Sequence, residues 1–227
     1  MCGRYTLRRL DLIRGTFEAI LGPGFEEFTE RPRFNIAPSQ NVPVVRMNSA
    51  GQTVAGVARW GLIPSWTKGK PRAQPINSRS ETLATSGLFR QAFARRRCLI
   101  PADGFYEWKG AAPPKQPYFF HMKDDSLFAF AGLWERWRPA DDAEPIDTFT
   151  ILTTRPNELS APIHNRMPVI LHRHDYARWI DRDVPGEDVG NLLDPFDADR
   201  MEVYPVSTQV NKVKNDGPSL TDGRNPA

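Results

Sequence analysis

The chain has 227 residues, 40% of them hydrophobic, and a formal net charge of +3 at pH 7. This length predicts one domain with a substantial core, and so small a charge permits a basic groove for an acidic partner without requiring one. The chain lacks the roughly 18 consecutive apolar residues of a membrane span, and two cysteines, Cys2 and Cys98, are too few for a disulfide framework. We therefore expect a soluble, cytoplasmic protein in a reducing compartment, with no membrane partner and no signal peptide.

The first forty residues predict an extended start, one helix and an ordered loop. Residues 2–6 have an extended pattern, and apolar residues then recur at spacings of three and four over residues 7–21, which is typical of a helix. The Gly-Pro-Gly sequence at residues 22–24 is expected to end that helix. Residues 31–43 are rich in Pro and Asn and predict an ordered loop.

From residue 44 onward the pattern is mostly β. Many short strands with interspersed helices are typical of an α+β fold, and we expect a single domain with a curved, mixed or antiparallel sheet that forms a barrel-like core flanked by short helices. That domain is expected to span residues 1–213, and residues 214–227, which have few core-forming side chains, are expected to form a loosely structured tail. Strands are predicted at residues 54–63, 97–100, 118–121, 127–133, 148–153, 168–171 and 202–206, and helices at residues 80–96, 174–181 and 187–193.

Cys2 offers an unusual combination of reactive groups. Methionine is usually trimmed when a small residue follows it, which would leave a free α-amine and a thiol on the same terminal residue. The α-amine has an unperturbed pKa of about 7.7–8.0, and the thiol becomes a strong nucleophile once neighbours lower its pKa from about 8.5. Two such groups can attack one electrophilic carbon in turn. On position alone, an ordinary second residue is the simpler interpretation.

Three further residues are candidates for proton transfer or hydrogen bonding. Glu107 lies between two aromatic residues, where loss of hydration would raise its pKa and suit it to carrying protons; the alternative is a solvated strand residue. His164 lies in a turn between predicted strands and is either structural or a proton-transfer group. Asn77 either caps the helix predicted to begin near Ser80 or supplies a hydrogen bond at a site.

A second group of residues is suited to nucleic acid. Arg4, Arg79 and Arg166 would supply bidentate phosphate contacts if the fold brings them together, and otherwise they are unrelated surface arginines. Trp60 and Trp66 flank a proline-containing turn. We expect one of these rings in the core and the other exposed for base stacking, which contributes about 1–3 kcal/mol per base.

Other features indicate no additional chemistry. The chain contains no CxxC pair, no HExxH and no glycine-rich phosphate loop, so we predict neither a metal nor a nucleotide cofactor. Cys98 lies in an apolar run and is expected to be an inert buried thiol. The run Arg95, Arg96 and Arg97 is typical of a solvated helix end.

Taken together and in this order, the motifs resemble the SRAP family, the abasic-site-processing proteins, from Cys2 to about Val213. The resemblance implies a single domain that binds single-stranded DNA in a positive groove and forms a covalent thiazolidine crosslink between Cys2 and the ring-opened sugar of an abasic site. It implies Cys2, Asn77, Glu107 and His164 as catalytic residues and Arg4, Arg79, Arg166 and Trp66 as DNA contacts. The motifs are CGRY at residues 2–5, RWGLIPSW at 59–66, NSRSE at 77–81, PADGFYEW at 101–108 and HNRMP at 164–168.

The same resemblance implies a role in the DNA damage response, on the nucleoid through DNA, with side activities as a lyase at abasic sites and as a peptidase acting on its own N-terminus. Nothing in the sequence indicates an assembly, so we expect a monomer; the preferred DNA context and replication-fork partners stay open. Two alternatives are an N-terminal nucleophile thiol hydrolase, because glutamine amidotransferases of that class also begin with Cys-Gly, and a single-stranded DNA-binding module without a covalent step.

Overall fold

The computed structural model describes residues 2–28, 31–111 and 115–224. The α-helices are α1 (Ile13–Phe17), α2 (Phe25–Phe28), α3 (Arg90–Arg95) and α4 (Tyr176–Ile180). The strands are β1 (Arg4–Leu7), β2 (Ile20–Leu21), β3 (Arg33–Ile36), β4 (Asn41–Met47), β5 (Thr53–Trp60), β6 (Asn77–Arg79), β7 (Arg97–Ala102), β8 (Gly104–Lys109), β9 (Gln116–Met122), β10 (Phe128–Trp137), β11 (Ile146–Thr154), β12 (Met167–Pro168), β13 (Ile170–Leu171) and β14 (Met201–Pro205). Short 3-10 helices lie at Leu10–Leu12, Ser80–Thr82, Arg173–Asp175, Gly186–Leu193, Ala198–Arg200, Thr208–Asn211 and Pro218–Thr221.

A five-stranded barrel forms the centre of the fold. β5, β4, β7, β10 and β11 pair in that order, and parallel pairing of β11 with β5, in which Phe149 lies opposite Trp60, closes the ring. Short strands extend the barrel wall: β2 pairs with β5, β6 and β12 pair with β11, and β13 pairs with β10. The rings of Trp60 and Phe149 are fully buried and stack with their centroids 6.2 Å apart.

A second sheet packs against this barrel. β14, β9, β8, β1 and β3 pair in that order, and all of the pairs are antiparallel. The buried ring of Tyr5 on β1 contacts Trp60 at a centroid distance of 5.4 Å and Phe130 at 5.8 Å. These edge-on aromatic contacts hold the N-terminal strand between the two sheets.

The predicted α+β fold with a barrel-like core is confirmed. All seven predicted strands are present, although residues 168–171 are divided into β12 and β13 around Val169. The shorter predicted helices are also present: α4 with its 3-10 turn lies within 173–180, and a 3-10 helix covers Gly186–Leu193. The sequence does not predict β2, β3, β4, β6 or β8 as separate strands.

Two predicted helices are much shorter than their apolar spacing indicates. In place of a helix over residues 7–21 there are a 3-10 turn and α1, because Glu18 adopts a left-handed conformation (φ 50°) and β2 then pairs with β5. In place of a helix over residues 80–96 there are a 3-10 turn and α3. Between them, the Ser86 hydroxyl accepts the Leu88 N–H at 3.2 Å, a local turn that competes with helical bonding.

The loop predicted over residues 31–43 is wrong, because this stretch contains β3 and the start of β4. Pro43 lies within β4, opposite Val57 of β5. β7 pairs with β4 only where Val45 lies opposite Leu99, so Pro43 lies beyond the region where β4 has partners on both sides. A proline without an N–H is tolerated at such an edge position.

The tail predicted to be loose over residues 214–227 is packed as far as the structure describes it, to residue 224. Leu220 is 2% exposed and joins a small cluster with Tyr106 and Phe119 of the second sheet. The Asp216 carboxylate pairs with Arg33 at 2.6 Å. The second sheet supplies the packing surface for this segment, and further hydrogen bonds, such as Tyr204 Oη to the Thr221 carbonyl oxygen at 3.0 Å, also hold it. Residues 225–227 lie outside the described residues.

Among the helices that the structure describes, none combines the length with the apolar character that a bilayer crossing requires.

Gly132 on β10 is required by close packing, and its substitution tests the barrel. A Cβ atom at this position would lie 2.1 Å from Ile100 Cδ1 and 3.0 Å from the Thr150 carbonyl oxygen. We expect Gly132→Ala to lower the free energy of unfolding in urea by about 1–3 kcal/mol, as overpacking does. Gly56→Ala on β5 is the matched control, because a Cβ atom there meets nothing within 4 Å. An equal loss in both variants would contradict the barrel packing.

Candidate active site around Cys2

The pairing of β1 with β8 brings the N-terminal residues beside Glu107. The two strands are antiparallel, with Arg4 opposite Tyr106. Continuing this register by one pair places Gly3 opposite Glu107. The Glu107 carboxylate interacts electrostatically with the Cys2 thiol, so the two groups are close. One strand pair therefore brings a nucleophile and a carboxylate together.

Asn77 reaches the same point from the barrel wall. β6 pairs in parallel with β11, with Asn77 opposite Ile151. The Asn77 side-chain amide donates a hydrogen bond from Nδ2 to the Cys2 carbonyl oxygen at 2.9 Å. Asn77 does not cap the following 3-10 helix, whose N-cap is Arg79. Of the two interpretations from the sequence, the structure therefore supports the hydrogen bond at the site.

Glu107 is almost completely enclosed, with 3% of its surface exposed. Burial raises the pKa of its carboxyl group, and the electrostatic influence of His164 acts in the opposite direction. The predicted rise in pKa is confirmed, and a solvated strand glutamate is the wrong interpretation. The interaction with His164 also shows that the loop between β11 and β12 reaches the carboxylate.

The ring of His164 is oriented by its own loop. His164 Nδ1 lies 3.0 Å from the Arg166 backbone nitrogen and 3.2 Å from the Arg166 carbonyl oxygen, so it bonds the backbone of Arg166 in either tautomer. The Arg166 guanidinium makes a bidentate pair with Glu81, with Nη2 2.9 Å from Oε2, and also donates to the Thr153 carbonyl oxygen. These contacts tie the histidine loop to β11 and to the residues that follow β6.

The thiol of Cys2 is enclosed rather than presented to solvent. Cys2 is 0% exposed, and its Sγ donates to the Arg4 carbonyl oxygen at 3.8 Å. Burial raises the pKa of the thiol, and the Glu107 carboxylate raises it further. Burial therefore acts against the lowered pKa that would make this thiol a strong nucleophile. A protonated thiol of this kind needs a nearby base when it reacts.

The four residues predicted to contact DNA differ in their surroundings. Arg79 is exposed, and Trp66 is 62% exposed. The Arg4 guanidinium is half-buried and donates to Asn35 Oδ1 at 2.9 Å and to the Val210 carbonyl oxygen at 2.7 Å. Arg166 has the Glu81 and Thr153 partners described above. Of the two tryptophans near the turn, Trp60 is the buried one and Trp66 the exposed one, as expected.

The C-terminal segment holds Arg4 in place, and sequence analysis missed this role. The buried Asn35 amide donates from Nδ2 to the carbonyl oxygens of Val210, Lys212 and Asn215 at 2.7–3.2 Å, and its Oδ1 accepts from Arg4. The signal in the sequence for this ordered segment is Asn211, Asn215 and Asp216, because such residues often bond backbone groups in turns.

Within the described part of the chain, no three His, Cys, Asp or Glu side chains come together as a metal site requires. The burial predicted for Cys98 is confirmed: it is 0% exposed, and burial raises the pKa of its thiol.

Comparison with known proteins identifies relatives over the whole chain. A family model described as SOS response associated peptidase (SRAP) matches residues 1–213. The abasic site processing protein YoqW of Bacillus subtilis (strain 168) is 42% identical over 226 residues, which cover 98% of this chain and 99% of YoqW. The abasic site processing protein YoaM of the same organism is 41% identical over 229 residues, with 99% of each chain covered. A crystal structure of a protein from Bacteroides thetaiotaomicron shares the fold, with a TM-score of 0.84 at 24% identity over 98% of this chain and 100% of that chain.

The raised pKa of Glu107 predicts that this residue reduces stability at neutral pH. A carboxyl group whose pKa is higher in the folded than in the unfolded protein stabilises the fold below its unfolded-state pKa, and this contribution is lost as pH rises through the folded-state value. We therefore expect Glu107→Gln to match wild type near pH 4 and to exceed it by about 2–4 °C in Tm near pH 7. The exposed Glu187→Gln is the control, and a gain that is equal at both pH values would contradict the burial effect.

The bonds made by Asn35 predict that it holds the C-terminal segment. Asn35→Ala leaves several buried carbonyl groups without a donor, which costs about 1–3 kcal/mol. We expect trypsin to cleave after the exposed Lys212 and Lys214 several-fold faster than in wild type, while the barrel stays intact. The exposed Asn191→Ala should leave the digestion unchanged. Cleavage at an unchanged rate in Asn35→Ala would show that the segment is held by other contacts.

Proposed function

Because this chain belongs to the SRAP family, whose named relatives are abasic site processing proteins, we propose that it captures abasic sites in single-stranded DNA through a covalent bond to Cys2. The observation that carries the proposal is the cluster of four side chains from separate segments. Asn77 bonds the backbone of Cys2, and Glu107 interacts with both the Cys2 thiol and His164. The cluster combines a nucleophile in Cys2, a proton carrier in Glu107 and a hydrogen-bond donor to the sugar oxygen in His164.

The chemistry uses both nucleophiles of a single residue. Removal of Met1 frees the α-amine of Cys2, which attacks the aldehyde carbon of the ring-opened sugar. The resulting hydroxyl takes up a proton and leaves as water, which gives an imine. The sulfur then adds to the same carbon while the imine nitrogen takes up the thiol proton, and a thiazolidine ring results. One aldehyde and one aminothiol thus give one ring and one water.

The electrostatics of the site favour this order of steps. The thiol has a raised pKa and stays protonated, so the amine is the first nucleophile. The Glu107 carboxyl also has a raised pKa, which suits it to giving a proton to the departing hydroxyl and then to taking one from the thiol. Reversal of the crosslink needs the same transfers, so Glu107 governs release as well.

His164 acts on the sugar oxygen in this scheme. In the tautomer in which Nδ1 accepts the Arg166 N–H, Nε2–H is available as a donor. A donor aimed at the ring oxygen of the abasic sugar favours the open aldehyde form, which is the form that the amine attacks.

The DNA contacts follow from exposure and charge. Exposed Arg79 lies two residues from Asn77 and is placed to bind a phosphate next to the abasic sugar. The exposed Trp66 ring offers a surface for stacking a base. Arg4 and Arg166 already have protein acceptors, and they add positive potential and fix the loops of the site.

Side reactions follow from the same intermediate. An imine acidifies the hydrogens on the adjacent sugar carbon, so strand cleavage by β-elimination accompanies capture to a small extent. The Cys2, Glu107 and His164 set is also the set that a thiol peptidase acting on its own N-terminus would use. Both activities belong to the proposed site and need no further residues.

Cys2→Ser tests the two-step capture, because it keeps the α-amine and removes the sulfur. With a single-stranded oligonucleotide that contains one abasic site, we expect wild type to give a heat-stable adduct on a denaturing gel. Cys2→Ser is expected to give no lasting adduct unless borohydride is present to reduce the imine. Cys98→Ala is the matched control and should crosslink as wild type does.

The proposal fails if wild type gives no adduct or if Cys2→Ser gives an undiminished one without reductant. It also fails if crosslinking survives an uncleaved tag fused directly before Cys2, because the tag converts the amine into an unreactive amide. Glutamine hydrolysis by wild type with release of ammonia would instead favour the N-terminal nucleophile hydrolase.

A further inference from the structure

A cationic cleft lies at the end of the barrel opposite the Cys2 site. β11 runs between the two: Asp147 near its start pairs with arginines of the cleft, and Thr153 near its end bonds Arg166 beside His164. Thr153 lies six positions after Asp147 on this strand, which corresponds to about 20 Å at roughly 3.3 Å per residue. The cleft is therefore separate from the candidate active site.

Five of the eleven residues that line the cleft are arginines. It has a volume of about 580 Å³, within the range of about 300–1,000 Å³ that is common for ligand sites. Its wall includes part of the basic run that the sequence analysis interpreted as a solvated helix end. The arginines that line it are Arg46, Arg95, Arg96, Arg136 and Arg182.

The acidic residues around the cleft balance only part of this charge. A single carboxylate, Asp147, serves both Arg46 at 2.6 Å and Arg136 at 2.7 Å. Arg96 pairs with Glu135 at 2.6 Å. Asp183 is 4.0 Å from Arg95, and both side chains are more than two-thirds exposed, so solvent weakens this pair. Five guanidinium groups thus face three carboxylates, and the cleft keeps a surplus of two positive charges.

Trp134 supplies an aromatic wall within this positive cleft. The Arg46 guanidinium lies over the Trp134 ring, 3.9 Å from its centroid, which fixes the orientation of both groups. The Arg95 side chain donates to the Arg182 carbonyl oxygen at 3.1 Å, which keeps these two exposed segments together. Arginines with an ordered indole ring suit a phosphodiester with an attached sugar and base.

We propose that this cleft is a second phosphate-binding site, which holds the DNA strand several nucleotides away from the abasic residue. The inference rests on the proposed binding of DNA at Cys2 but not on the covalent step. Its effect is to increase affinity for strands long enough to reach both ends of the barrel. Each arginine that neutralises a phosphate adds about 0.7 to the salt dependence of binding to a single strand.

The test compares DNA length in the Arg95→Gln/Arg182→Gln double variant. Both side chains are exposed and neither touches the Cys2 site, and an unchanged Tm is the check that loss of the Arg95 bond to the Arg182 carbonyl oxygen leaves the fold intact. Fluorescence anisotropy is measured with single strands of about 5 and about 20 nucleotides that contain no abasic site. Only the longer strand extends some 20 Å from the Cys2 site in either direction and so reaches the cleft. We expect about three- to tenfold weaker binding of the long strand, a salt slope lower by about 1.4, and unchanged binding of the short strand.

Arg14→Gln/Arg138→Gln is the matched control, because it removes two exposed arginines that do not line the cleft. The second site would be overturned if the Arg95/Arg182 variant lost no affinity, or lost equal affinity for both DNA lengths. It would also be overturned if the control variant lost as much affinity for the long strand. Saturable binding of a free deoxynucleotide monophosphate without any length dependence would overturn the assignment to the strand. Wild-type crosslinking to a short abasic oligonucleotide is measured separately. This measurement distinguishes a cleft that binds no DNA from a protein that does not capture abasic sites.

Discussion

The antiparallel pairing of β1 with β8 is the constraint on which the site depends. It places the chain terminus, which is mobile in most domains, at a fixed position against an internal strand, with Arg4 opposite Tyr106. The Tyr5 ring secures this strand through contacts with Trp60 and Phe130 of the barrel. The proposed nucleophile, Cys2, is thereby buried as completely as the residues of the core.

Burial gives the site its reactivity and also has a cost in stability. Glu107 and the Cys2 thiol both have raised pKa values because the same enclosure removes water from them. A carboxyl group with a raised pKa is protonated more readily than a fully solvated one, which suits a reaction with several proton transfers. Removal of Met1 matters to the proposed chemistry because it creates the α-amine.

The sequence predicts those elements whose residues show a local pattern, such as the alternation of a strand. The seven predicted strands from residue 54 onward, and one buried with one exposed tryptophan, follow from alternation and composition, whereas β6 and β8 do not. The long helix over residues 7–21 is wrong because Glu18 takes a left-handed conformation and barrel pairing outweighs helical spacing. The role of Asn35 is invisible in the sequence, since its partners lie about 180 residues away. The rise of the Glu107 pKa is predicted from its aromatic sequence neighbours, but Tyr106 and Trp108 lie on the opposite face of β8, so other residues enclose the carboxylate.

Mass analysis of the adduct with abasic DNA tests the central claim most directly. After nuclease digestion and cleavage by trypsin behind Arg4, the account predicts a Cys2–Arg4 peptide that lacks Met1 and has gained the sugar remnant with loss of one water. The mass of this peptide should not change on treatment with borohydride, because a thiazolidine has no imine bond to reduce. A remnant on a lysine side chain, or a modified peptide that retains Met1, would contradict the account.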